Sequence, residues 1–434
     1  MEICQKIAAL ADAMTEELIA TRRDFHKYAE AGWTEMRTSS LIARRLTDMG
    51  YEVLVGEQVC DRDTRMGVPE DQELEKQYAR AAEQGGDPEF LPATRGGMTG
   101  VIGILRCGEG PTVALRFDID ALGVMESGDA DHIPARDGFA SVNPGVMHAC
   151  GHDGHATTGL GVARVLMQIK DRLHGTVKII FQPAEEGVRG AKAIVAKGHL
   201  DNVDYFMGTH ITGAKDGKVG LVPGSYGSLA TCKYDAYFTG TPAHAGAKPH
   251  MGANAMQAAA AAVLHLYAIP RHGDGASRIN VGTLTAGTGR NVIADRAKME
   301  FEVRGANTKI NSYMCEKAEQ VLTACAQMYG CQVEWKLAGA ADSLTSDRDF
   351  SETIANFARQ AGLPSETTMI PSFGSEDVAY MMNRVQEQGG KASFMRLMTE
   401  TYAPAHHVKF NFDEAVLPFG VKAVAVAVYR LLQK

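Results

Sequence analysis

The 434-residue chain has no C-x-x-C pair among its eight cysteines, no apolar run of bilayer length and no surplus of positive charge. Each absence excludes a class of protein. Cysteines without that motif, in a chain long enough to fold on its own core, argue against a disulfide scaffold and for a reducing compartment, so a cytoplasmic location is expected. The longest apolar stretch, Ala255–Pro270, is interrupted by Gln257 and His265. It falls short of the roughly 20 residues a spanning helix needs. The first twenty residues scatter Glu2, Lys6, Asp12, Glu16 and Glu17 among apolar positions. That is the pattern of an amphipathic helix, not of a secretory signal. With 44 Lys and Arg against 52 Asp and Glu, the net charge is −8. A nucleic-acid partner would call for a basic face instead.

What is present is an ordinary globular composition, 45% hydrophobic and 22% charged. The length suggests two domains. Leu10 to about Met49 reads as helix stopped by Gly50, and 54–96 reads as a polar surface insertion with a short helix at Glu73–Ala82. Strands and helices then alternate. Thr99–Leu105, Thr112–Phe117, Val177–Phe181 and Tyr205–Thr209 are short apolar runs, with helical segments at Thr157–Ile169 and Ala191–Ala196. This order predicts an α/β fold, a mostly parallel sheet covered by helices, with functional groups gathered at the strands' carboxyl ends. From about 228 the rhythm becomes α+β. Strands at Thr231–Phe238, Arg278–Leu284 and Lys298–Arg304 accompany helices at 253–266 and Ile310–Met328. The expected organisation is one domain of 1–227 and 344–434, with a smaller α+β domain, 228–343, inserted into it.

Chemistry concentrates in MHACGHDGHA, Met147–Ala156, which places His148, Cys150, His152, Asp153 and His155 within eight positions. Thiolate and imidazole are ligands for zinc and its neighbours, and carboxylate suits manganese. The same residues would also serve a cysteine nucleophile paired with histidine. Downstream, VKIIFQPAEEG ends a strand on Glu185 and Glu186, whose side chains point in different directions. One carboxylate can then bind metal while the other serves as a base. His210 closes another strand, and His406 or His407 lies in PAHHVKF. In the inserted region, His244 in GTPAHAG and Asn291 in RNVI supply loop donors suited to a developing oxyanion.

These pieces, in this order, resemble the M20 family of metallopeptidases and amidohydrolases. The resemblance rests on RRDFHKYAEAGWTEMRTS (22–39), FDIDAL (117–122), MHACGHDGHAT (147–157), QPAEEG (182–187), FTGTPAHAGAKPHMGANA (238–255), GRNVIAD (289–295), FGSED (373–377) and HHVKFNFDE (406–414). It implies a site for two divalent ions, manganese first and zinc or nickel as alternatives, held by Cys150, His152, Glu186, His210 and His406. It makes Glu185 the general base, and Asp118 and Asp120 the residues beneath the ligands. It makes 1–227 and 344–434 the metal-binding catalytic domain and 228–343 a ferredoxin-like lid or dimerisation domain, and it brings His244 and Asn291 to the active site of a partner subunit, in a homodimer or in a heterodimer with a homologous chain. Gly374, Ser375 and Arg304 would meet the substrate's free carboxylate. The implied reaction is hydrolysis of an N-acyl or N-aroyl amino acid amide, with p-aminobenzoyl-glutamate leading. Auxin–aspartate conjugates, N-acetyl amino acids and dipeptides are the alternatives, and a silent regulatory subunit is the non-enzymatic one.

Overall fold

The computed structural model describes residues 2–372 and 374–433; Met1, Phe373 and Lys434 lie outside the described residues. The strands, in chain order, are β1 (Glu52–Val55), β2 (Val101–Arg106), β3 (Thr112–Asp118), β4 (Thr176–Gln182), β5 (Tyr205–Gly213) and β6 (Gly220–Val222), then the two-residue β7 (Ser225–Tyr226). They continue with β8 (Ala230–Thr239), β9 (Ser277–Ala286), β10 (Arg296–Gly305) and β11 (Gln332–Ala341), a two-residue β12 (Ile370–Pro371), and β13 (Lys391–Thr399). A seven-stranded sheet runs β1-β2-β4-β3-β5-β13-β6. Its centre, β4-β3-β5-β13, is parallel, and antiparallel pairings attach β1, β2 and β6 at the edges.

The unbroken apolar character of these central strands follows from burial on both faces. Val177, Ile179 and Phe181 of β4 join one core with the helices Glu2–Ala13, His152–Gln168 and Val416–Leu432. Ile180 of the same strand faces the other core, shared with helices Ala191–Ala196 and Val378–Glu387. Phe206 and Phe394 lie on that second face, and alternation carries His210 of β5 and Arg396 of β13 to it as well.

The smaller inserted domain is an antiparallel sheet, β11-β8-β10-β9, backed by helices Ala255–Tyr267 and Thr308–Met328. Its β-α-β-β-α-β order is that of a ferredoxin-like unit.

Two segments depart from the sequence reading. The expected single helix over Leu10–Met49 is three, Glu2–Ala13, Thr15–Lys27 and Met36–Asp48. The last break exists to bury Trp33. Its ring is fully enclosed, its Nε1–H donates to the Met66 carbonyl at 2.8 Å, and its backbone adopts φ 67°. The 54–96 segment, read as surface, is partly core. Leu74 and Ala81 of helix Asp71–Glu83 pack with Leu91 against Met36, a contact too sparse in apolar residues to stand out in a charged stretch.

Candidate metal centre

Two turns, one before a helix and one after a strand, bring most of the functional side chains together. Gly151, at φ 85°, turns the chain into helix His152–Gln168, so that Cys150 precedes the helix and His152 opens it. On the neighbouring strand end, Ala184 sits at φ 50°, a left-handed conformation that a non-glycine residue adopts only when its surroundings impose it. Two buried carboxylates do so. Glu35 accepts the Ala184 N–H at 2.7 Å, and Asp120 accepts the N–H groups of Glu185 and Glu186 at 3.0 and 2.9 Å. Asp377 holds the far side of the turn, accepting from Gly190 and Ala191 at 3.0 and 2.9 Å and from the Gln182 amide. The adjacent glutamates are therefore aimed by backbone bonds that leave their own carboxylates free.

The ligand atoms of Cys150, His152 and His210 lie within 4.8 Å of one another, as do those of Cys150, Glu186 and His406, and those of His152, Glu185 and Glu186. All five ligands implied by the family resemblance thus meet at one place, with Glu185 beside them. His406 rather than His407 faces the cluster. Its Nε2 is 3.8 Å from Glu186 Oε1, whereas His407 Nδ1 accepts the Lys409 N–H at 3.1 Å. A further grouping, Asp118, His152 and His155, serves a different purpose. His155 donates from Nδ1 to Asp118 and accepts the Ile211 N–H on Nε2 at 2.7 Å, so neither nitrogen is free for a metal. Asp118 is also paired with buried Arg116 at 2.5 Å. It lies 3.8 Å from His152, while Asp120 lies 3.4 Å from the ring's other nitrogen.

The donor set suits divalent cations. Both ring nitrogens of His152 and Oε1 of Glu186 are buried without a hydrogen-bond partner, a costly arrangement unless an ion takes up the lone pairs. Burial pushes the Cys150 thiol up to about 12 and Glu186 up to about 7. Burial, then the charges of Glu376 and Glu186, raises Glu185 well above the usual carboxylate range. Burial together with His155 and Arg396 holds His210 well below the usual imidazole range, leaving it neutral and able to coordinate. A cation reverses the penalty on thiolate and carboxylates, and it must displace protons to do so. Chelation is therefore expected to lower the melting temperature, and manganese or zinc at about 100-fold excess over its Kd to restore about 2.7 kcal/mol. That recovery should grow as pH rises past the Glu186 value of about 7. Calorimetry that shows the same transition with and without chelator would count against an ion here.

The remaining candidates lie on or beside the inserted domain. His244 is exposed, and its loop pairs with that of Asn291: Ala245 N–H donates to the Asn291 carbonyl at 3.0 Å, and His244 bridges to Val292. The Gly374 carbonyl accepts the Leu229 N–H at 3.2 Å, where the chain enters β8, and the Ser375 hydroxyl is buried without a partner. Arg304 is held by Glu302 on its own strand at 2.8 Å and lines a separate cavity of about 240 Å³ with Arg278 and Asn280. Sequence reasoning passed over Glu35, Asp377 and the Glu376–Arg396 pair. FGSED held the signal for two of them, but an acid on a loop announces no partner.

This architecture and its cluster of thiol, imidazole and carboxylate define a metal-dependent hydrolase. The chain matches Peptidase family M20/M25/M40 over residues 114–430 and belongs to it. It is 45% identical to a p-aminobenzoyl-glutamate hydrolase subunit of Escherichia coli, covering 97% of both chains. It is 48% identical to indole-3-acetyl-aspartic acid hydrolase of Enterobacter agglomerans, covering 94% of both. Among solved structures, the aminobenzoyl-glutamate utilization protein of Klebsiella pneumoniae superposes with a TM-score of 0.83 at 38% identity, covering 97% of both chains. A Bacillus subtilis M20 peptidase described as dinuclear metal binding superposes with a TM-score of 0.66 at 26% identity, covering 97% of this chain and 99% of that one. The protein is thus an enzyme of a dinuclear-metal hydrolase family whose close relatives act on aroyl and acyl amino acids.

Proposed function

We propose that the enzyme hydrolyses the amide of an N-aroyl acidic amino acid, p-aminobenzoyl-glutamate first, giving p-aminobenzoate and glutamate. The observation that carries this reading is the convergence of Cys150, His152, Glu186, His210 and His406 around Glu185, in a chain 45% identical to a hydrolase named for that substrate. Indole-3-acetyl-aspartate is the second reading, favoured by the 48% identity to an enzyme named for it.

The five residues hold two divalent ions, manganese by preference with zinc or nickel as substitutes. When bound, such ions polarise a carbonyl and acidify water. Glu185 does the proton work. Its high proton affinity suits it to take a proton from the attacking water and return it to the departing amine nitrogen. Asp118 and Asp120 flank His152 at 3.8 and 3.4 Å, one beside each ring nitrogen, placed to orient the ring. His244 and Asn291 reach the site from a partner subunit, and Gly374 and Ser375, with Arg304, meet the substrate's α-carboxylate. In this reading 1–227 and 344–434 form the metal-binding domain and 228–343 the lid. Exposed Met256, Leu264, Tyr267 and Leu284 on neighbouring lid elements support pairing there, as a homodimer or with a homologous chain. Among the described residues no helix is long and apolar enough to cross a membrane and no disulfide joins any of the eight cysteines, which supports a cytoplasmic setting.

The test is release of p-aminobenzoate from p-aminobenzoyl-glutamate by chelated and by manganese- or zinc-reconstituted protein. Activity should appear only on reconstitution, and equal rates in both preparations would overturn the reading.

A further inference from the structure

We propose that Arg396 binds the side-chain carboxylate of the amine half of the substrate and so selects acidic amino-acid conjugates. This rests on the amide-hydrolase reading and adds to it a second anion subsite, distinct from the one given to the α-carboxylate. An acidic conjugate carries two carboxylates, and the second requires its own cation.

Arg396 is placed for that role. It lies on β13 directly across from His210 of β5, on the same face of the sheet and towards the carboxyl ends of the parallel strands. Only 7% of the residue is exposed, so an anion meeting it is largely removed from water, where a charge-assisted bond counts for most. The guanidinium lies over the Phe394 ring, 4.3 Å from its centroid, which fixes the plane of the fork.

Its present bonds are all long. Nε donates to Ser225 Oγ at 3.2 Å and Nη2 to Ser372 Oγ at 3.2 Å. Nη1 and Nη2 share the single Oε1 atom of Glu376 at 3.3 and 3.4 Å. Charge-assisted pairs usually close to about 2.7–2.9 Å. The fully buried arginines do so, Arg22 with Asp153 at 2.8 Å and Arg116 with Asp118 at 2.5 Å. Arg396 therefore meets Glu376 through one carboxylate oxygen and at long range, not by the two short parallel bonds that a guanidinium and a carboxylate can make.

Glu376 makes the subsite selective as well as receptive. It directly precedes Asp377, which holds the turn carrying Glu185 by accepting the Gly190 and Ala191 N–H groups, and so joins the fork to the reaction centre. A neutral side chain cannot replace it on Arg396 without leaving a buried cation poorly paired, whereas a carboxylate can.

The experiment compares p-aminobenzoyl-glutamate with its neutral isostere p-aminobenzoyl-glutamine, using metal-loaded wild type, Arg396→Gln and Arg396→Lys. Wild type should favour the glutamate conjugate by roughly 100-fold in kcat/KM, since a site built around a charged partner rejects the analogue lacking it. Arg396→Gln should abolish that ratio mainly through KM. Arg396→Lys, which keeps the charge but loses the fork, should retain part of it. Product inhibition of wild type, requiring no variant, should be stronger with glutamate than with glutamine. An unchanged ratio in Arg396→Gln, equal losses on both substrates, or equal inhibition by the two products overturns the assignment alone. A wild type inert toward both conjugates overturns the amide-hydrolase reading, and this one falls with it.

Discussion

Glu185→Gln is expected to lower kcat by roughly 10³-fold while leaving the metal content unchanged. The substitution keeps the shape of the side chain and removes its ability to accept a proton. It should not disturb the turn, because that turn is held through backbone N–H groups by Asp120, Glu35 and Asp377 and not through the Glu185 carboxylate. The loss belongs in kcat and kcat/KM alike, the signature of an interaction made in the transition state. The adjacent change, Glu186→Gln, should behave differently and lower the metal stoichiometry itself, because Oε1 of Glu186 lies against both His152 and His406. Two neighbouring acids then give two separable defects, read by steady-state kinetics and by metal analysis of the same preparations. Retention of activity within tenfold in Glu185→Gln would remove it from the role of base.

The same pair of measurements separates metal-assisted attack by water from attack by Cys150. Both schemes need the sulfur, so alkylating it tells nothing. A thiol pushed to about 12 is a weak nucleophile near neutral pH unless a cation or a charged histidine draws it down. His210, whose Nε2 lies 3.5 Å from Sγ, is held neutral by its surroundings, and the neighbouring His152, whose proton affinity Asp118 and Asp120 raise, lowers the thiol by less than burial raises it. A nucleophilic cysteine would also have no use for the two acids at the end of β4, and Glu185→Gln would then be nearly silent.

Much of this centre is legible in the sequence alone. Cysteine and histidine separated by one glycine, and paired glutamates after an apolar strand, are local patterns, and local patterns survive folding. The parallel sheet is legible for the same reason: VKIIF alternates nothing because both of its faces are buried. The supports are not legible. Glu35 reaches Ala184 across 149 positions, and Arg116 reaches Asp377 across 261. No spacing rule links residues that far apart, and each acid taken singly resembles a solvated one. Trp33 misleads for a related reason, since helical periodicity continues through a break whose purpose is a buried ring and a left-handed backbone. Arg396 is hidden in a strand that also carries Lys391, Ser393 and Thr399, where an arginine in sequence looks like a solvent-facing position rather than a buried fork.

The lid supplies the last expected result, a gain of activity from two inactive proteins. His244 accepts the Gly246 and Ala247 N–H groups on Nδ1, both at 3.1 Å, which places the ring proton on the exposed Nε2. The imidazole is thus set in advance as a hydrogen-bond donor, the form that steadies an oxyanion, and His244→Ala should cost roughly 10²–10³ in kcat. If the partner subunit supplies that donor, a Glu185→Gln chain still offers a sound His244, and a His244→Ala chain still offers a sound Glu185. Unfolding and refolding the two together makes about half the dimers mixed, each with one complete site, so activity should return to about a quarter of wild type. Donation within one chain predicts no recovery, because every site would then lack one of the two residues. Rates measured across mixing ratios distinguish the cases further: activity should peak at equal amounts and vanish at either end, a dependence that a contaminating wild-type enzyme would not produce.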